Sequence, residues 1–398
     1  MNGEKGEAGT NHSLKYEDFG SLLKNVVDNR GKTCPTADSG IPLIATNCVV
    51  NNYLYPIYEK VRYVTEETYK TWFRDHPRPG DMIFVLKGTP GRVVWVPDPV
   101  DFCIAQDMVA IRADERKIFP KYLFAALRSD SIQQEIEGLH VGSLIPHFKK
   151  GDFDDLKIPI VEPKLQEFIG NQYFDLSLKI DLLHRQNKTL EAMAETLFRQ
   201  WFVEEADEGW EEGKIPDEFD FTMGVSPPGE SYNEEGIGIP MYQGNADFEF
   251  RFPKRRVFTT DPKRFAEQFD TLISVRAPVG AQNMAGERCC IGRGVATFRY
   301  KRNNNYYVYT YFKMKSLMKE IEQFNQTGTV FGSISKADFG DLAIAIPSVE
   351  FVDAFQKDIK PIDDKVIANC MQIRTLEKLR DTLLPKLMGG ELRVRYER

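Results

Sequence analysis

Short runs of apolar residues, rich in β-branched and aromatic members and separated by turn residues, recur along much of the chain. "MIFVL" (Met82–Leu86), "VVWVP" (Val93–Pro97) and "MVAIR" (Met108–Arg112) are of this kind, and "TLISV" (Thr271–Val275) and "VATFRY" (Val295–Tyr300) repeat the pattern later. Such runs predict strands. Helical periods follow them. "PKYLFAALRSDSIQQEIEG" reads as one helical pattern, with Pro120 near its start and Gly138 at its end. Beyond it Leu176, Ile180, Leu183, Asn187, Leu190, Ala194 and Leu197 step alternately by four and three, the period of a coiled-coil seam. The seam returns 186 residues on as Ile362, Val366, Asn369, Ile373, Leu376, Arg380 and Leu383. Asn187 and Asn369 each place an amide in an apolar seam, where a polar residue fixes register at some cost in stability. A helix over about 163–202 spans about 60 Å. Pro361 predicts that the second long helix is kinked or begins there, over about 361–388 after a shorter one.

The similarity is not confined to the seams. "GIPLI" (Gly40–Ile44) returns as "GIPMY" (Gly238–Tyr242), "DMIFVLKGTPG" (Asp81–Gly91) as "DTLISVRAPVG" (Asp270–Gly280), and "CIAQDMVAIR" (Cys103–Arg112) as "CIGRGVATFR" (Cys290–Arg299). "KGDFDDLKIPI" (Lys150–Ile160) likewise matches "KADFGDLAIAI" (Lys336–Ile346). Five matches in one order make the chain an internal repeat. The expected fold is mixed α/β: two similar α/β domains, each of roughly 130 to 150 residues, separated by a pair of long antiparallel coiled-coil helices in a pseudo-twofold dumbbell. The boundaries drawn from the pattern are 1–160 for the first domain, 161–202 for the first helix, 203–220 for an acidic linker, 221–346 for the second domain, and 347–398 for the second helix and tail.

Composition changes this picture in one respect. The chain carries a net charge of −7, but Val203–Asp220 alone accounts for −8, so the remainder is +1. Within that remainder "RFPKRRVFTTDPKR" (Arg251–Arg264) has six basic residues against one acidic, a basic patch inside an acidic protein. The six cysteines, Cys34, Cys48, Cys103, Cys289, Cys290 and Cys370, include no CxxC pair and read as reduced, mostly buried thiols. No metal and no cofactor is expected. The polar start and the lack of a long apolar run point to a cytoplasmic protein with no membrane partner.

Enzymatic motifs are incomplete. "SPPG" (Ser226–Gly229) is similar to the Asp/Asn-Pro-Pro-aromatic motif of amino methyltransferases but lacks both the amide or carboxylate and the ring. "CIGRGVA" has two glycines near a strand without the third glycine and helix of a dinucleotide site, and no phosphate loop of the GxxxxGK[ST] type is present. His12, His76, His140, His147 and His184 form no metal or triad spacing.

"MGVSPPGESYNEEGIGIPMYQGNADF" (Met223–Phe248), "LISVRAPVGAQNMAGERCCIGRGVA" (Leu272–Ala296) and "LRDTLLPKLMGGELRV" (Leu379–Val394) resemble the specificity (S) subunits of type I restriction-modification systems. The resemblance covers nearly the whole chain and is looser at "YEDFGSLLKNVVDNRGKTC" (Tyr16–Cys34). It implies a non-catalytic DNA reader. Each globular part would be a target-recognition domain for one half of a bipartite double-stranded target. The helices would set the spacer and dock methyltransferase (M) subunits, and helicase-nuclease (R) subunits would complete the complex.

Base edges are read by Arg, Lys, Asn and Gln. The candidates are Gln243 and Asn245 after "GIPMY", Arg251, Lys254, Arg255 and Arg256 in the basic segment, and Arg276 beside "APVG". In the first copy they are Asn47, Asn51 and Asn52 after "GIPLI", with Arg78, Lys87 and Arg92; Lys87 and Arg276 are equivalent in the repeat. The competing reading is a scaffold whose two domains bind proteins, with the coiled coil as a dimerisation element.

Overall fold

The alternating runs form two antiparallel four-stranded sheets of the same order. In the computed structural model, which describes residues 15–29, 32–139, 146–207, 209–325 and 332–389, Leu23–Asp28, Met108–Ala113, Met82–Val85 and Val93–Trp95 lie side by side in that sequence. Phe219–Met223, Val295–Tyr300, Thr271–Ser274 and Gln282–Met284 do the same. Register repeats too, with Met82 facing Ile111 and Thr271 facing Phe298. Met82–Val85 is buried at every position, as a continuous apolar run with neighbours on both sides should be.

A second sheet in each copy is built on the GIP segments. Ile41–Ile44 pairs antiparallel with Arg62–Val64 and parallel with Cys103–Ile104, and Ile239–Tyr242 pairs in the same two senses with Val257–Thr259 and Cys289–Ile291. The glycines that open these strands have φ of 129° and 92°, and a Cβ there would lie 2.3 Å from the Val64 carbonyl oxygen or 2.2 Å from that of Thr259. No other residue fits either place, which accounts for the recurrence of Gly40 and Gly238.

A two-stranded ribbon closes each copy: Lys15–Asp18 with Lys157–Ile160, and Glu211–Lys214 with Ala343–Ile346. The second ribbon corrects the acidic linker. Residues 203–220 are largely folded, because Ile215 and Phe219 are buried apolar anchors within the charged run. The run supplies a strand, a short helix Ile215–Glu218 and the start of Phe219–Met223. Glu218 is itself buried and accepts a 2.6 Å hydrogen bond from the Tyr309 hydroxyl; burial raises its pKa, and Lys313 opposes the rise.

The segment predicted as one helix from Pro120 to Gly138 is two, Pro120–Leu127 and Asp130–Gly138. Arg128 breaks it by burying its guanidinium against the carbonyls of Val93 and Tyr53. The first long helix is Pro163–Arg199 and continues as a π turn over Gln200–Glu204, closed by Glu205 N–H to the Gln200 carbonyl at 2.8 Å. The second runs unbroken over Val349–Met388, so Pro361 neither starts nor stops it. The carbonyl of Lys357, which loses its partner to the proline, lies on an exposed residue, as Pro361 does, and water can satisfy it.

The chain divides into two compact units, residues up to His184 with those from Ile373, and Arg185–Gln372. Each contains parts of both long helices, packed antiparallel. In the first unit Ile180 and Leu183 pack with Ile373 and Leu376, and Arg380 covers the Tyr173 ring. In the second, Asn187 and Asn369, both buried, meet through a 2.8 Å amide hydrogen bond, and Asn369 also donates to Gln186 at 2.8 Å. All seam positions named above are buried or half-buried. The buried face is broader than the seam, taking in Tyr173, Ser177, Phe198, Ile367 and Leu387. The first core centres on Phe19, Phe84, Phe148 and Phe153, with centroids 4.8 to 6.0 Å apart, and the second on Phe198, Phe202, Tyr309 and Phe355. No helix among the described residues is long and apolar enough to cross a membrane. His12, His140 and the tail beyond Gly389 lie outside the described residues.

Candidate nucleic-acid interface

In the second unit the polar turn after Ile239–Tyr242 is organised by one buried carboxylate. Asp247 accepts from the Gln243 backbone N–H at 2.7 Å and from Arg256 Nη2 at 2.9 Å, while its carbonyl accepts from the Lys254 N–H at 2.8 Å. This draws Gln243, Asn245, Lys254 and Arg256 into one cluster, and all four side chains are exposed. Arg255 is exposed as well and pairs with Glu287 at 2.5 Å, a surface contact worth little.

Arg251 departs from its predicted role. It is 1% exposed, with its guanidinium 3.9 Å from the Tyr311 ring centroid and Nη2 3.0 Å from Asp363. A group so placed cannot touch DNA. Burial works against its charge, but Tyr311, Asp363 and Glu191 hold its pKa above the ordinary arginine value. Burial pushes the Asp363 carboxyl up and Arg251 draws it back. The error lay in treating all six cations of Arg251–Arg264 as one surface, when Arg251 stands between Phe250 and Phe252.

In the first unit the asparagines are partly engaged. Asn51 Oδ1 accepts from the Val93 N–H at 2.9 Å, and Asn47 Nδ2 donates to the Glu59 carbonyl at 2.8 Å. Both bonds reach other segments of the chain, 42 and 12 residues away, and so commit these atoms to holding the fold. Asn52 and Arg78 are exposed, and Lys87 and Arg92 are half-buried.

Lys87 and Arg276 hold corresponding places in their own units. Each follows an inner strand of its four-stranded sheet, and their backbones bridge His147 and Ser333 respectively. Just before that strand Asp81 holds Arg112 through bonds of 2.7 and 2.8 Å, and Asp270 holds Arg299 through two of 2.6 Å; these bonds raise both arginine pKa values. The fork-to-fork pairs anchor the strands that carry Lys87 and Arg276.

The sequence reading passed over Arg293. It is exposed between Gly292 and Gly294, where a Cβ at Gly292 would lie 3.3 Å from Gln243 Cγ and one at Gly294 2.0 Å from the Gln243 carbonyl oxygen. The glycines of "CIGRGVA" therefore serve a close backbone approach that sets Arg293 beside Gln243. Gln106 holds the matching place in "CIAQD". A polar residue at one position of a repeated strand end was the available signal. "SPPG" is also a fold element, its proline carbonyls accepting from Tyr232 and Ser231.

A family model described as the type I restriction modification DNA specificity domain matches twice, over residues 15–192 and 207–380. A Methanocaldococcus jannaschii protein named as the type I restriction enzyme MjaX specificity subunit is 31% identical over 310 residues, 73% of this chain and 72% of that protein. The HindI specificity subunit of Haemophilus influenzae is 21% identical over 397 residues, 79% of this chain and 86% of its own. The crystal structure of the type I restriction-modification S subunit from M. genitalium shares the fold, with a TM-score of 0.56 at 19% identity, covering 96% of this chain and 97% of that one.

Proposed function

This chain belongs to the type I restriction-modification DNA specificity family, and on that premise we propose that each unit reads one half of a bipartite duplex target. One observation carries the reading: the two units present basic or amide side chains from equivalent places, Lys87 with Arg276 and Gln106 with Arg293. Such side chains read base edges, while neighbouring cations hold phosphates and set register. In the second unit Gln243, Asn245, Arg276 and Arg293 face bases, and Lys254, Arg255 and Arg256 serve the backbone. In the first, Asn52, Lys87 and Gln106 face bases, Arg78 and Arg92 serve phosphates, and Asn47 and Asn51 tie their segment to Glu59 and Val93. The recognition domains are the globular parts up to residue 160 and from 211 to 346. The long helices set the unspecified gap and dock methyltransferase subunits, and a helicase-nuclease subunit joins the full complex. The chain alone catalyses nothing and works in the cytoplasm. Because the two sets of side chains differ, the two blocks differ and the target is asymmetric.

The test is selection from a random-duplex library by the full chain, alone and with a methyltransferase subunit, at two salt concentrations. Two short blocks at a fixed gap, with affinity falling steeply as salt rises, is the expected outcome. No enrichment by the assembled complex overturns the reading in favour of a protein-binding scaffold.

A further inference from the structure

The second unit fastens the base of its reading loop to the long helices by charge. The Arg251 carbonyl accepts from the Met284 N–H at 2.9 Å, so the chain there hangs on the edge of the four-stranded sheet. Its buried guanidinium lies over Tyr311, 3.0 Å from Asp363 of the second long helix and 3.7 Å from Glu191 of the first. Glu191 is also held by Lys315 at 2.7 Å. None of the three guanidinium nitrogens makes a hydrogen bond of good geometry with a described residue. Charge and the ring face hold the group, and both long helices supply the charge.

This joint is not inherited from the repeat. The first unit makes the same strand bond, Trp95 N–H to the Leu54 carbonyl at 2.8 Å, so Leu54 occupies the place of Arg251. At the 186-residue offset of the seams, Asp363 corresponds to Ser177 and Glu191 to Glu377. Ser177 spends its hydroxyl on the Tyr173 carbonyl. There the segment is held by Arg128, which donates to the carbonyls of Tyr53 and Val93.

We infer that Arg251 is a positioning residue for DNA reading, the clamp through which the helix pair sets where Gln243, Lys254 and Arg256 meet the duplex. The inference rests on the two-block reading above. Because Asp247 binds those three residues into one cluster, a shift at Arg251 moves them together. Successive base pairs are about 3.4 Å apart, so a shift of a few ångströms changes the register of the block read by the second unit.

The test applies the same selection to the full chain with its methyltransferase subunit, as wild type, Arg251→Lys, Arg251→Met and the double variant Arg251→Leu with Asp363→Ser. The double variant reproduces the first unit's residues and leaves Glu191 paired with Lys315. In it both blocks keep their base preferences, affinity for the second unit's block falls about tenfold, and the tolerated gap widens by about one base pair; Arg251→Lys lies between it and wild type. Unchanged affinity and gap in the folded double variant overturn the inference. Altered base preference in that block also overturns it, by making Arg251 a reader. Should these variants fail to fold, Asp363→Asn, which removes one charge and keeps shape, is judged by the same two readouts. A wild type that enriches no two-block target removes the functional reading itself, a result distinct from any difference between variants.

Discussion

In the first unit the N–H of Trp95 meets the carbonyl of Leu54, and in the second the N–H of Met284 meets the carbonyl of Arg251, with both side chains 1% exposed. Leu54 enters an apolar cluster with Tyr173 and Phe174, where burial contributes about 1.5–3 kcal/mol and needs no partner. Arg251 enters a setting where an unpaired charge costs several kcal/mol, and Asp363, Glu191 and the Tyr311 ring face it there. The repeat therefore preserves backbone bonds and lets the side chains diverge. Apolar contact tolerates sliding, whereas the buried charge holds its segment in one relation to two helices.

The largest expected effect breaks this contrast directly. Arg251→Met leaves Asp363 buried and uncompensated and should destabilise the second unit by about 3–5 kcal/mol, whereas Leu54→Met should cost the first less than about 1.5 kcal/mol. Hydrogen exchange followed peptide by peptide separates the two, and equal losses would show that the two joints are energetically alike. The next effect concerns recognition. Lys87→Ala and Arg276→Ala should each relax one block alone, by about 1–3 kcal/mol, as read from the selected sequences; relaxation of both blocks by either variant would break the assignment of one block to each unit. Smaller still, Arg255→Ala should change stability by less than about 1 kcal/mol and lower the salt slope of binding by about one.

Much of this architecture was legible in the sequence because backbone constraints leave residue signatures. Gly40 and Gly238 recur because no Cβ fits, and Asp81 and Asp270 recur because each anchors an arginine on the adjacent strand. The seams were legible from their period, but the meeting of Asn187 with Asn369 was not, since a seam lists faces and leaves partners open. The acidic run misled because charge was counted over the segment, while Ile215 and Phe219 decided its fold one residue at a time. Arg251 misled for the same reason in reverse. A charge between two phenylalanines is as compatible with a buried pair as with a surface, and the acids that settle it stand 60 residues before and 112 after it in the chain.

The smallest expected effect turns on where the titrating groups lie. Every histidine in the chain falls at or before His184, so Arg185–Gln372 contains none. His184, with its ring 5.0 Å from Tyr53, and His76, stacked 3.7 Å from Tyr69, are both held below the ordinary histidine pKa by burial. A base with a depressed pKa in the fold is protonated first in the unfolded chain. Its contribution is therefore complete above about 6.5 and is lost as pH falls through the folded pKa. In the second unit burial raises the pKa of Glu218 and of Asp363, and raised carboxyls act in the opposite sense, contributing fully at low pH and losing that contribution as pH rises through the folded pKa. Acidification from neutral pH should thus weaken the first unit while the second holds or gains. Hydrogen exchange at pH 7 and near pH 5.5 measures both in one sample, and His184→Phe should flatten the first unit's response without touching the second. If the second unit weakened first on acidification, the opposed burial of histidine in one unit and carboxyl in the other would not govern their stability.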